Sequence, residues 1–125
     1  MHEQVYSTLA DAASGLPTVG GTIQLPSGTY VLTTAVAIPT DRPVAIRGSG
    51  GGTIINSVSA ITMINADSTT NFILSDLRFT GTPTEALSIN SATRPRLINV
   101  SFDLTSGTPI DDTSVSNPSY SNVWD

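Results

Sequence analysis

The chain contains no cysteine, no lysine and a single histidine, His2. Without cysteine it forms no disulfide bonds, and the redox state of its compartment stays open. The one histidine supplies neither a histidine-based triad nor a zinc site, because both require partner residues that are absent. Charged residues are also scarce, at 12% of the chain against about 25% in an average globular protein. A surface with so little charge is poorly protected against association, so we expect partners to cover part of it.

Positive charge is limited to five arginines, and the net charge is −5. No basic cluster is present, which argues against binding nucleic acid through its phosphates. The N-terminus lacks the basic region and apolar run of a secretory signal peptide, and no apolar stretch approaches the length that spans a membrane. We therefore expect a soluble chain whose partners are neither nucleic acids nor membranes.

The sequence does contain a repeat. Phe72–Phe79 and Pro95–Phe102 share one alternating pattern at an offset of 23 residues. The corresponding positions are Ser75 and Ile98, Asp76 and Asn99, Leu77 and Val100, and Phe79 and Phe102. Ile61–Met63 and Leu87–Ile89 form a second pair, which we align at an offset of 26. Strands that recur at such offsets with no helix between them indicate a parallel β-solenoid, whose coils bury their apolar side chains by stacking.

The chain divides into three predicted parts. Apolar residues near the N-terminus recur at helical spacing, at Val5, Leu9, Ala12 and Leu16. This spacing predicts a capping helix over residues 1–19. From Gly21 onward the spacing changes to two, which predicts a parallel β-helix over residues 20–104. Residues 105–125 are predicted to form an extended C-terminal arm.

The arm is rich in Ser, Thr, Asp and Pro, a composition typical of flexible segments. The residues that we expect to anchor it are Ile110, Val115, Tyr120, Val123 and Trp124. Two arrangements are open at this point. The arm either folds back over its own last coil or docks on a neighbouring subunit.

Only two acidic residues are placed on the repeated strands, Asp76 and Asp103. In the register above, Asp103 lies opposite Thr80, which is about 13 Å along the strand from Asp76 at about 3.3 Å per residue. A glycosidase needs two carboxyl groups about 5 Å or about 6.5–9.5 Å apart, so this pair does not suit that chemistry. We expect Asp76 to form a surface ion pair with Arg78 or a subunit contact.

Arg94 and Arg96 flank Pro95 at a predicted corner, where we expect ion pairs, with a sugar acid as the alternative ligand. Asp111–Asp112 lacks the alternating oxygen ligands of a calcium loop and is interpreted as solvated. Gly48–Gly52 lacks the Lys-Ser/Thr that completes a phosphate loop, so it predicts a tight corner. We expect neither a metal ion nor a cofactor.

The block Gly20–Tyr30, which reads GGTIQLPSGTY, resembles the opening of the pectate-lyase-like right-handed parallel β-helix family. This family includes many bacteriophage tailspikes. Ile46–Gly48 is similar to the family's aliphatic-Arg-Gly step, and Asn71–Leu77 is similar to its second coil. The resemblance covers residues 3–104 and implies the fold. For a tailspike-like chain it also implies a homotrimer of helices lying side by side. The family's enzymes have many coils and carry their groove on later ones, which this chain lacks.

The sequence thus predicts an all-β fold. It is a short right-handed parallel β-helix of about three to four coils, with an N-terminal capping α-helix and an extended C-terminal arm. With the resemblance, it predicts a non-enzymatic structural protein located in the virion of a bacteriophage. We expect a trimeric capsid decoration (cement) protein, bound to the major capsid protein or to another virion protein. The alternatives are the N-terminal part of a polysaccharide-degrading tailspike or lyase, and a glycan-binding β-helix module. The expected interface residues are Asp76, Arg78, Arg94, Arg96, Ile110, Tyr120, Val123 and Trp124.

Overall fold

A computed structural model describes Leu9, Ala13, residues 15–112 and residues 119–124. All strand pairs in this part of the chain are parallel. The strands are β1 Gly21–Gln24, β2 Gly28–Val31, β3 Val36–Ala37, β4 Val44–Arg47, β5 Thr53–Ser57, β6 Thr62–Asn65, β7 Ile73–Gly81, β8 Glu85–Ser88, β9 Arg96–Leu104, β10 Thr108–Asp111 and β11 Ser119–Trp124.

These strands form three walls. The first wall consists of β1, β4, the first halves of β7 and β9, and β11. The second wall consists of β2, β5 and the second halves of β7 and β9. The third wall consists of β3, β6, β8 and β10. The chain therefore winds through four stacked coils, and β11 begins a fifth. The predicted parallel β-helix is confirmed.

The register of the first predicted repeat is confirmed, because Ser75, Leu77 and Phe79 pair with Ile98, Val100 and Phe102. The second alignment is wrong. Thr62 pairs with Glu85 and Ile64 with Leu87, so the offset is again 23 rather than 26. Met63 and Ile64 are both fully buried, as are Leu87 and Ile89. Burial of consecutive residues removes the alternation that would have fixed the register from the sequence.

The core is a set of columns in which inward side chains lie one above another. One column runs through the first wall and contains Ile23, Ile46, Leu74, Leu97 and Tyr120. In the second wall, Phe79 and Phe102 stack with ring centroids 5.1 Å apart and planes 4° from parallel. The third-wall column contains Val36, Ile64, Leu87 and Ile110. Each coil buries its apolar face only against the coils above and below it, so stacking is the main source of stability.

Among the described residues, six other than glycine have a positive φ, and they form three pairs at the repeat offset of 23. These pairs are Ser68 and Ser91, Asn71 and Arg94, and Asp76 and Asn99, with φ between 52° and 61°. The third pair makes the bend between the first and second walls within β7 and β9. In the coil before, Gly48 lies against this bend, and a Cβ atom on it would be 2.2 Å from the Asp76 carbonyl oxygen. That position therefore requires glycine.

The two ends of the stack differ. At the N-terminal end, Leu9 and Ala13 have helical backbone and are buried. The other positions of the predicted capping helix before Gly15 lie outside the described residues. At the C-terminal end, the segment predicted as an arm continues the stack beyond residue 104, because β10 pairs with β8 and β11 with β9. The predicted anchor Val115 lies outside the described residues. None of the helical segments in the part of the chain described has the length and apolar character needed to cross a membrane.

Candidate functional site

The eight predicted interface residues lie at three separate places. Asp76 and Arg78 lie at and just after the bend between the first two walls. Arg94 and Arg96 lie at the corner that leads from the third wall into the first. The remaining four lie on the last strands of the stack: Ile110, Tyr120, Val123 and Trp124.

Asp76 and Arg78 do not form the predicted ion pair with each other. Asp76 Oδ1 accepts a hydrogen bond from Asn99 Nδ2 at 3.0 Å, one coil further along the stack. Arg78 Nη1 lies 3.9 Å from Asp103 Oδ2. The reason is the φ of 59° at Asp76, which interrupts the strand alternation between the two side chains. Polar partners are thus found along the stack, not along the strand.

Arg94 and Arg96 line an open cavity of about 260 Å³ together with Asn71 and Ile73. We call this cavity the corner cleft. Arg96 and Ile73 are the first residues of β9 and β7 and pair with each other. Arg94 Nε donates a hydrogen bond to Asn71 Oδ1 at 3.0 Å. The β-helix therefore brings two arginines, an amide and an apolar side chain to one place.

A second cavity, of about 220 Å³, shares Asn71 with the corner cleft. Its arginine, Arg42, forms a fork on Asp41, with Nε at 2.8 Å from Oδ1 and Nη2 at 3.2 Å from Oδ2. Arg42 Nη1 also donates to the Leu16 carbonyl oxygen at 2.6 Å. The hydrogen bond from Arg42 lowers the pKa of Asp41 below its ordinary value. Arg42 is thus neutralised by Asp41, whereas no ion pair among the described residues involves Arg94 or Arg96.

The C-terminal end of the stack exposes positions that are buried in earlier coils. Tyr120 continues the first-wall core column, yet 43% of its surface is accessible. Ile110 and Val123 are half-buried at the ends of their columns, and Trp124 pairs with Ser101 through the backbone. The Tyr120 hydroxyl donates a hydrogen bond to the Asp112 carboxylate. Burial raises the pKa of Tyr120, and the bond to Asp112 raises it further.

A group of acidic residues lies on the third wall, apart from the strands that carry Asp76 and Asp103. Glu85 begins β8 and Asp111 ends β10. Asp111 accepts a hydrogen bond from Asn90 Nδ2 at 2.9 Å, so it is not merely solvated. Asp67 accepts from Ser88 Oγ at 2.6 Å and from the Asn90 amide at 2.8 Å. Applying the 23-residue offset to Ser88 would have located Asp111.

Glu85 and Asp111 share a hydrogen bond, and their pKa values shift in opposite directions. The Thr62 hydroxyl, which donates to Glu85 Oε1 at 2.7 Å, lowers the pKa of Glu85. The hydrogen bond to Asp111, burial and the nearby carboxylates outweigh it and raise that pKa overall. Hydrogen bonds from Asn90 and Glu85 lower the pKa of Asp111. Of the two carboxyl groups, Glu85 is therefore the one that keeps its proton to higher pH.

Within residues 15–112 and 119–124, together with Leu9 and Ala13, no three His, Cys, Asp or Glu side chains are arranged to hold a metal ion. The acidic group on the third wall is held by hydrogen bonds to Thr62, Ser88 and Asn90. Comparison with protein-family models, with curated proteins and with solved structures finds no match to this chain.

Proposed function

We propose that the chain is a non-enzymatic structural protein of a bacteriophage virion, acting as a trimeric capsid decoration protein. Support comes from the tailspike-like opening block Gly20–Tyr30 together with the short parallel β-helix. Such a protein would stabilise the particle by bridging neighbouring copies of the major capsid protein or another virion protein.

The observation that carries the proposal is the nearly neutral outward face of the second wall. Its outward positions form two columns: Thr29, Ile54, Arg78 and Ser101, and Val31, Asn56, Thr80 and Asp103. The only two charged residues in these columns, Arg78 and Asp103, face each other at 3.9 Å. Val31 is 62% exposed. A flat surface with so little net charge suits the side-by-side packing of identical helices.

The exposed core positions at the C-terminal end support a second contact, with the particle. Tyr120 and Val123 lie on β11, whose outer edge lacks a paired strand among the described residues. An edge of unpaired backbone groups beside accessible apolar side chains is a favourable surface for a protein partner. We assign attachment to this end and trimer contacts to the second wall.

The acidic pair on the third wall is assigned a structural role. Glu85 accepts a hydrogen bond from Thr62 Oγ1 at 2.7 Å and Asp111 accepts one from Asn90 Nδ2 at 2.9 Å, so both carboxyl groups are engaged within the fold, whereas glycosidase carboxyl groups are held apart to admit the sugar or a water molecule. Near about pH 4, where Glu85 keeps its proton, the pair also joins β8 to β10. Digestion of bacterial polysaccharides by the purified chain would contradict this assignment and favour the tailspike or lyase alternative.

The trimer is tested by the mass of the full chain in solution, measured by light scattering during gel filtration. We expect three times the 13.0 kDa of one chain. Val31→Asp should shift the mass toward that of one chain, because three carboxylates would meet at the second wall. Val58→Asp is the matched control, since Val58 is 75% exposed and lies outside the walls. A 13.0 kDa species at every concentration would overturn the proposal.

A further inference from the structure

We propose that the corner cleft is a binding site for an oxyanion, such as the carboxylate or sulfate group of a ligand. The fork of Arg94 and the guanidinium of Arg96 would hold the anion, with Asn71 and Ile73 completing the site. The proposal goes beyond the assembly role described above and does not depend on it.

The concentration of positive charge in the corner cleft favours a bound anion. The chain has twice as many acidic as basic residues, yet Arg94 and Arg96 lie two positions apart and line one cavity. In the part of the chain that is described, ion pairs join Arg42 to Asp41 and Arg78 to Asp103, and none involves the two arginines of the cleft. Two exposed guanidinium groups that share a cavity repel each other, and a bound anion relieves that repulsion.

The fold does not need arginine at position 94 or at position 96. Asn71 occupies the position of Arg94 in the preceding coil, with φ of 59° against 52°. The residues in register with Arg96 are Ile73 before it and Ser119 after it. Arginine is unfavourable at a φ of 52°, a left-handed backbone conformation that suits glycine and asparagine better. The two arginines therefore occupy sites that neighbouring coils fill with smaller, uncharged side chains.

The corner cleft is ordered before a ligand arrives. The backbone on both sides of Pro95 is held, because Arg96 N donates to the Phe72 carbonyl at 2.8 Å and Ser119 N donates to the Pro95 carbonyl at 2.9 Å. Asn71 fixes Arg94 through Nε, and among the described residues no hydrogen bond engages the two terminal nitrogens of this guanidinium, which can therefore bind a ligand. A fork held in this way matches the two oxygens of a carboxylate or sulfate. Ile73 supplies an apolar contact beside the charged groups.

The size of the cleft limits the ligand. A cavity of about 260 Å³ lies just below the range of about 300–1,000 Å³ typical of pockets for drug-sized molecules. A single acidic sugar or a free inorganic anion is of suitable size, and an extended polymer would present one acidic group at a time. Both sources offer the same chemistry, an oxyanion with at least two free oxygen atoms.

The experiment is calorimetric titration of the full chain at low salt with galacturonate, sodium sulfate and, as the neutral control, galactose. We expect saturable binding of at least one anion, no binding of galactose, and weakening as salt is raised. Arg94→Asn and Arg96→Ser each introduce a residue that already occupies the matching position in an adjacent coil. Both variants should therefore fold. Each should weaken anion binding about tenfold or more, and the double variant should abolish it.

Arg47→Gln is the matched control, because Arg47 is exposed on the first wall but does not line the cleft. It should bind the anion as the unaltered chain does. Preference for galacturonate would identify a carboxylate ligand, and equal binding of sulfate would identify a general oxyanion site. Absence of binding by all anions, or binding retained in the double variant, would overturn the proposal. The solution mass is a separate readout, so this failure would leave the trimer proposal standing.

Discussion

The corner before the first wall and the bend after it differ in how they tolerate changes in length. The corner spans the same eight positions in every described coil, from Ala37 to Ala45, Asn65 to Ile73, Ser88 to Arg96 and Asp111 to Ser119. The bend varies. It is long between Arg47 and Thr53, shorter between Gln24 and Gly28, and reduced to single residues at Asp76 and Asn99.

Constant length allows side chains to align along the stack. At the corner, Asn71 lies below Arg94, and Asp67 binds Ser88 and Asn90 of the next coil. At the variable bend, glycines accommodate the extra residues of Gly48–Gly52. The corner cleft therefore lies where the length of the connection repeats, and the glycine-rich loop lies where it does not. The proposed oxyanion site is thus on the corner of constant length.

The largest expected effect concerns β7 and β9, the strands that pair at the constant offset of 23. Phe79→Asp should prevent folding, because it places an unpaired charge in a fully buried position stacked on Phe102. The cost should exceed about 4 kcal/mol, near the upper end for single substitutions. Phe79→Leu is the control, with an expected loss of about 1–2 kcal/mol. Circular dichroism during heating measures both, and melting of Phe79→Asp like the unaltered chain would show that the register is wrong.

A smaller effect tests the variable bend with two glycines from one loop. Gly48→Ala should destabilise by about 1–3 kcal/mol, because its new Cβ meets the Asp76 carbonyl at 2.2 Å and the backbone must move. Gly51→Ala should change stability by less than about 0.5 kcal/mol, since no atom lies within 4 Å of the added Cβ. Urea unfolding of both variants measures the difference. Equal stability would mean that the close approach of the loop to the bend is incorrect.

The smallest effect concerns pH and the acidic pair on the third wall. The pKa of Glu85 is raised above its ordinary 4.5, so its contribution to stability is complete below about pH 4.5 and is lost as pH rises through the raised value. The pKa of Asp111 is lowered from 3.8, so its contribution is present above about pH 3.8 and is lost as pH falls through the lowered value. Together they stabilise the fold most near about pH 4.

Glu85→Gln should remove the Glu85 part of this dependence. Glutamine can still accept from Thr62 and donate to Asp111 without a charge, so the melting temperature at pH 7 should rise by a few degrees. Melting curves between pH 3 and pH 8 check this outcome. A variant whose stability follows pH as the unaltered chain does would show that Glu85 is not paired with Asp111.

The sequence predicts the β-helix because β7 and β9 carry clear alternation at a constant offset. The same reasoning fails in β6, where the consecutive buried residues Met63 and Ile64 hide the register. It also ends the stack too early, since β10 and β11 are short strands in a segment dominated by Ser, Thr, Asp and Pro. The tertiary pairing with β8 and β9, rather than local pattern, determines their structure.

The candidate sites are predictable to a similar degree. Arg94 and Arg96 are found from their position beside Pro95, but their cavity depends on Asn71 and Ile73 in another coil. Glu85 and Asp111 are 26 positions apart on different strands, so no local motif joins them. Side chains that meet along the stack axis become visible only when the strands are aligned coil by coil, at an offset of 23 in the last coils and at larger offsets, such as Val36 to Ile64, in the earlier ones.

The constant offset in the last coils has a consequence for how such a molecule can change. From β6 to β10 and from β7 to β11, every strand meets its counterpart after 23 residues. A tandem duplication of one 23-residue segment in the gene would therefore add a whole layer while the cross-section stays the same. Duplication of such segments would thus increase the height of the stack. Each added layer would carry its own copy of the corner, which mutation could then modify.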